Sequence, residues 1–144
     1  MDRRSYLGAV GGLALGGLAG CIGSGQSEGE HDVGMSTVEF LPAVLEVPPG
    51  TTVTWKNTSG TGHTVTAYED GIPEDAEYFA SGEFEGQAAA NSGWREGGTG
   101  AIYAGEVYEH TFENVGDYEY YCIPHENAAM KGRIVVDRAA TPLE

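Results

Sequence analysis

Val44-Leu45-Glu46-Val47 and Thr51-Thr52-Val53-Thr54-Trp55-Lys56 alternate between apolar and polar side chains and are rich in β-branched residues. That period of two is the mark of a half-buried strand. Val38-Glu39-Phe40 and His63-Thr64-Val65-Thr66-Ala67 extend the series, and Ala101 to Ala104, Val107 to Phe112, Asp117 to Tyr121 and Gly132 to Asp137 complete it. Pro48-Pro49-Gly50 and Asn114-Val115-Gly116-Asp117 read as turns between neighbouring strands. Around the second turn, Tyr108, His110 and Phe112 share one strand face, and Tyr118 and Tyr120 share a face of the next. No helical repeat of apolar positions extends over three turns. Many short strands punctuated by turns predict an all-β sandwich or barrel. Residues 68–100 break the pattern, being acidic, glycine-rich and weakly periodic. They are expected to form a long surface excursion with one short helix around Glu74 to Ala80.

The first residues follow a different logic. Arg3-Arg4 precede an uncharged apolar run from Ala9 to Ala19, the layout of an export signal. The run is too short and glycine-rich for a membrane-spanning helix, which needs about 20 apolar residues. It ends in Leu18-Ala19-Gly20-Cys21, which resembles a lipobox, so cleavage after Gly20 would leave Cys21 as an acylated first residue. The paired arginines before Tyr6-Leu7 resemble a twin-arginine signal, the route for proteins exported folded. From Ile22 to about Gly34 the composition is that of a flexible Gly/Ser/Glu linker. The expected organisation is therefore an export signal at 1–20, a lipidated cysteine and linker at 21–34, one folded domain at 35–138 and a tail at 139–144.

Charge narrows the function. The 144 residues carry 22 acidic against 7 basic side chains, a formal net charge of −15. Phosphate backbones are held by Lys and Arg, so nucleic-acid binding is excluded. The even spread of acidic groups fits adaptation to high salt better than a docking patch. Two cysteines, Cys21 and Cys122, could form one disulfide by count, but their surroundings give them separate tasks.

The chemistry concentrates at Tyr120-Tyr121-Cys122-Ile123-Pro124-His125-Glu126-Asn127-Ala128-Ala129-Met130. A strand end delivers Cys122, and the following loop brings His125 and Met130 back toward the same point. His63, at the start of another candidate strand, can complete the set. Cys, two His and Met are the donors of a blue-copper centre, a trigonal His₂Cys plane with a weak axial Met. Met35 is a lesser candidate for the axial position, since it lies outside the loop. His31, in the linker, and His110, in mid-strand, have no neighbouring ligands in the sequence and are read as structural or inert.

These residues resemble the cupredoxins, in particular the small plastocyanin-like halocyanins, over roughly residues 33–138. The matching pieces are Pro49-Gly50-Thr51-Thr52-Val53-Thr54-Trp55-Lys56-Asn57, His63-Thr64-Val65, Gly116 to Cys122, Pro124-His125 and Met130-Lys131-Gly132. The resemblance implies a two-sheet Greek-key sandwich holding one type 1 copper through His63, Cys122, His125 and Met130. It also implies a one-electron carrier with no substrate turned over, working with redox proteins of a membrane electron-transport chain. With the lipid anchor at Cys21, the carrier would sit as a monomer on the outer face of the cytoplasmic membrane. Two departures stand out. Thr64 follows the first ligand histidine where many members have Asn, and the 68–100 segment exceeds that of compact members.

Two rival functions make different demands. A copper nitrite reductase or oxidase needs a second copper site with additional histidines, and only His31 and His110 remain for one. A copper-delivery module usually exposes clusters of Met and His, whereas this chain has three methionines, Met1 included.

Overall fold

The computed structural model describes residues 31–143. The export signal at 1–20, Cys21 and the greater part of the linker lie outside the described residues. Strands β1 (Val33–Met35), β2 (Phe40–Leu41), β4 (Thr51–Asn57) and β6 (Val107–Phe112) form one sheet in the order β2-β1-β4-β6. Strands β3 (Val44–Val47), β5 (Thr66–Ala67), β7 (Gly116–Tyr121) and β8 (Lys131–Val136) form the other, in the order β3-β8-β7-β5. Each sheet contains one parallel pairing, β1 with β4 and β3 with β8, and is otherwise antiparallel. The expected all-β, two-sheet architecture is what the chain adopts.

The inward positions of both sheets meet in one core. Val53 and Trp55 alternate with exposed or half-buried threonines on β4, as the period of two requires. Trp55 touches rings from both sheets: Tyr120 edge-on at 5.4 Å, Tyr108 at 5.6 Å and Phe112 at 6.2 Å. Burying each such side chain stabilises the fold by roughly 1.5–3 kcal/mol. Gly132 faces Tyr120 across the β7–β8 pair, where an added Cβ would lie 2.5 Å from the tyrosine ring and hydroxyl. Glycine lets the Tyr120 ring lie flat over the strand that leaves the Cys122 loop.

Several expectations need correction. The helix is not around Glu74 to Ala80 but at α1 (Gln87–Gly97), closed by Gly98 in the left-handed region at φ 72°. Ala80 bridges Thr66, and the Ala67 N–H donates to the Phe79 carbonyl at 3.1 Å, so the chain there is extended. Nor is the 68–100 segment only a surface excursion. Phe79, Ala80 and Ser81 are buried, and Phe79 packs on Trp55, Phe112, Tyr118 and Tyr120. Val33 and Gly34, read as the end of the linker, belong to β1, which is wholly buried beside β4. Of the expected strand at His63 to Ala67, only Thr66–Ala67 is regular, and Ala101 to Ala104 contributes a single bridge from Ile102 to His63.

Candidate metal centre

Two loops at one end of the sandwich build the site. The first leaves β4 at Asn57, a buried side chain whose amide folds the loop around itself. Asn57 Nδ2 donates to the carbonyls of Thr61 (2.6 Å) and Ile102 (2.8 Å). Its Oδ1 accepts from the Ser59 N–H and the Ser59 hydroxyl, both at 2.8 Å. This side-chain-to-backbone turn delivers His63, whose N–H and carbonyl pair with Ile102. The His63 side chain is 0 % exposed, and its Nε2 lies 3.1 Å from Ser59 Oγ.

The second loop runs from Cys122 through a 3₁₀ stretch, Ile123–Ala128, to Met130. It closes on itself: the Cys122 N–H donates to Met130 O (3.1 Å), His125 N–H to Cys122 O (3.2 Å) and Met130 N–H to His125 O (3.2 Å). Thr64 ties the loops together. Its N–H points at Cys122 Sγ (3.4 Å), and its hydroxyl oxygen accepts the Ile123 N–H (2.9 Å) while touching Thr66 Oγ1 at 3.0 Å. At the position where many members have Asn, a threonine hydroxyl thus braces the two loops. On the outer side, the Tyr68 hydroxyl donates to Glu126 at 2.8 Å and its ring stacks on Tyr121 at 4.4 Å.

The donors converge on the sulfur. His63 Nδ1 lies 3.5 Å and His125 Nδ1 3.4 Å from Cys122 Sγ. All three donor atoms lie within 4.8 Å of one another, the only such group of three or more His, Cys, Asp or Glu among the described residues. Cys122 is a free, buried thiol. Burial pushes it upward in pKa, opposed by the backbone of Thr64 and of His125 and by the Thr64 side chain. Burial, then the neighbouring His125, holds the His63 ring below its usual value, while the Ser36 backbone opposes both. Two imidazoles and a thiol aimed at one point fit a cation that can displace the thiol proton. One soft sulfur with two imidazoles suits copper. Met130, 0 % exposed and hydrogen-bonded through its backbone to both Cys122 and His125, stands where the loop returns.

The other candidates fall elsewhere. Met35 is a core residue of β1, its carbonyl accepting the Thr58 N–H at 3.0 Å. His110 stacks on Phe79 at 4.8 Å and meets the edge of Phe112. His31 is exposed beside Gly34.

Comparison with known proteins bears directly on this arrangement. The family model of copper-binding proteins of the plastocyanin/azurin family matches residues 27–137. The chain belongs to that family. It is similar to plastocyanin of Scenedesmus fuscus, 32% identical over 97 residues, covering 67% of this chain and 85% of the relative. Plastocyanin of Solanum tuberosum is 32% identical over 103 residues, covering 70% of this chain and 90% of that one. A reduced amicyanin variant superposes with a TM-score of 0.53 at 24% identity, over 78% of this chain and 86% of the other, a likeness of fold. This cupredoxin accordingly binds one type 1 copper, with His63, Cys122, His125 and Met130 as its candidate ligands.

The roles of Asn57 and Ser59 were not read from the sequence. Asn followed two positions later by Ser, ahead of Gly60, is the signal of an Asx turn and marks the loop that presents His63.

Proposed function

We propose that this cupredoxin is a membrane-tethered one-electron carrier, anchored through Cys21 and exchanging electrons with redox proteins of a membrane electron-transport chain. The observation that carries the electron-carrier part is the convergence of His63 Nδ1 and His125 Nδ1 on Cys122 Sγ. When bound there, copper supplies a one-electron Cu(I)/Cu(II) couple whose energy depends on its sulfur and imidazole donors. The protein's part is to hold those donors still. The β7 strand and the Thr64 bonds fix Cys122, the Asn57 loop fixes His63, and the closed Cys122–Met130 loop fixes His125. A frame that does not rearrange between oxidation states keeps the reorganisation accompanying each transfer small. His125 is half-buried where His63 is sealed, so electrons enter and leave on the His125 side.

The tether rests on the sequence, through the export-signal layout and the Leu18-Ala19-Gly20-Cys21 motif. A domain lifted above the membrane by a polar linker, monomeric and strongly acidic, suits a salt-rich exterior. The test has two arms. Copper-loaded protein is expected to absorb intensely in the orange-red, and Cys122→Ser, which exchanges a soft thiolate for a hydroxyl, is expected to abolish that band. Retention of the band in Cys122→Ser refutes the ligand assignment. Wild-type chain is expected in the membrane fraction at a mass showing cleavage and acylation, with Cys21→Ala left uncleaved or released. Wild-type protein recovered wholly soluble at full precursor mass refutes the tether.

A further inference from the structure

The hydrogen bonds beneath His63 form a chain whose direction is fixed at every link. Asn57 offers its two N–H bonds to two carbonyl oxygens, Thr61 O at 2.6 Å and Ile102 O at 2.8 Å. Carbonyls only accept, so the amide has one allowed orientation, with Oδ1 toward Ser59. Oδ1 also only accepts, and it takes the Ser59 N–H and the Ser59 hydroxyl, each at 2.8 Å. The hydroxyl has one proton. Its other acceptor, Thr61 O, is farther away at 3.2 Å, so the proton is committed to Asn57. Ser59 Oγ therefore faces the ring nitrogen 3.1 Å away with lone pairs, and Nε2 must carry the hydrogen. In a neutral imidazole that leaves Nδ1 bare, and Nδ1 is the atom 3.5 Å from Cys122 Sγ.

We propose that Ser59, oriented by Asn57, is a positioning residue that selects the Nε2–H tautomer of His63 and so presents Nδ1 to the metal before the metal arrives. The proposal rests on the copper reading above and deepens it. A tautomer left free would spend part of its time with a hydrogen on Nδ1, pointed at the sulfur and closed to a cation. A ring N–H held by an oxygen acceptor is also a more basic ligand, which favours the more highly charged copper state.

The test uses the full chain with Ser59→Ala, which deletes the hydroxyl acceptor at a half-buried loop position while leaving the Ser36 backbone beside the ring, and Ser59→Thr, which keeps a hydroxyl. In metal-free wild-type protein, nitrogen-15 NMR of the His63 ring is expected to show the Nε2–H tautomer alone. Ser59→Ala is expected to show a mixture, and Ser59→Thr to restore the single form. With copper bound, Ser59→Ala is expected to weaken Cu(II) affinity about tenfold, the low end for loss of a ligand's hydrogen-bond partner. If that loss falls wholly on Cu(II), the reduction potential rises by about 59 mV. An unchanged tautomer in Ser59→Ala overturns the proposal, as does an Nδ1–H tautomer in the wild type. The NMR arm needs no copper, so failure of the blue-copper reading, seen as a colourless copper-loaded wild type, remains distinguishable from failure of this one.

Discussion

His63 and His125 present the same nitrogen to the same sulfur at nearly equal distance, 3.5 and 3.4 Å, from loops of opposite character. His63 is 0 % exposed, flanked by a buried asparagine and bridged by its own backbone to Ile102. His125 is half-buried at the kink between two short 3₁₀ turns, in a loop that bonds mainly to itself. One arm is part of the sandwich, and the other is a loop clasped against it. The difference shows how one centre can be both rigid and reachable. Under the proposed function, the sealed arm sets the geometry and the clasped arm gives the route in.

The largest expected effect comes from deleting each ring in turn. His63→Gly removes a fully buried side chain and the partner of Ser59. It should abolish the visible band and cost about 2–5 kcal/mol of stability, the range for large-to-small changes in a core. His125→Gly should also abolish the band, at a smaller cost in stability, and added imidazole should restore colour because the gap opens to solvent. Imidazole should not restore His63→Gly. Titrating both variants with imidazole while following absorbance and thermal unfolding checks the comparison, and equal rescue of both would break it.

Thr64→Val probes the joint between the two arms. The substitution keeps the shape of the side chain but deletes the oxygen that accepts the Ile123 N–H at 2.9 Å. A backbone donor left without its partner costs about 1–3 kcal/mol. The loss should appear as a lowered denaturation midpoint, with the visible band retained because the Thr64 N–H to sulfur contact is a backbone one. An unchanged midpoint would mean that the arms are held by packing alone.

The two arms also differed in how far the sequence disclosed them. The Cys122 loop is legible because its donors lie close together in the chain behind a recognisable strand, and strand alternation puts Tyr118 and Tyr120 on one shared face. The support under His63 is not, because polar residues such as Asn57 and Ser59 look the same whether they face water or a ligand. The helix at Gln87–Gly97 was missed for a related reason. Its QAAANSGWREG sequence has one buried residue, Ala90, so no apolar stripe announces it. Phe79 falls within the expected surface excursion because its acidic, glycine-rich neighbours give no period against which an inward ring would stand out. Its place in the core comes from the extended pairing of Ala80 with Thr66, a contact between distant residues.

The smallest effect concerns His110, a core-packed histidine outside both arms. It stacks on Phe79 at 4.8 Å and 19° and lines a cleft of about 560 Å³ with Glu77, Glu83, Glu85, Glu109, Tyr78 and Tyr108. Burial holds its pKa below the usual 6.5, with Glu77 pulling the other way. The folded chain therefore binds the proton less readily than the unfolded one. Stability from this group is complete above pH 6.5 and is lost as pH falls below that value toward the folded-state pKa. His110→Phe keeps the ring stack and removes the titration, so its melting temperature should fall less than the wild type's between about pH 7 and pH 5.5. Some slope should persist in the variant, since burial lowers the pKa of His63 as well. The visible spectrum should not change. Identical pH profiles would show that His110 gains its proton as easily folded as unfolded, the four glutamates of the cleft then offsetting the burial of the ring.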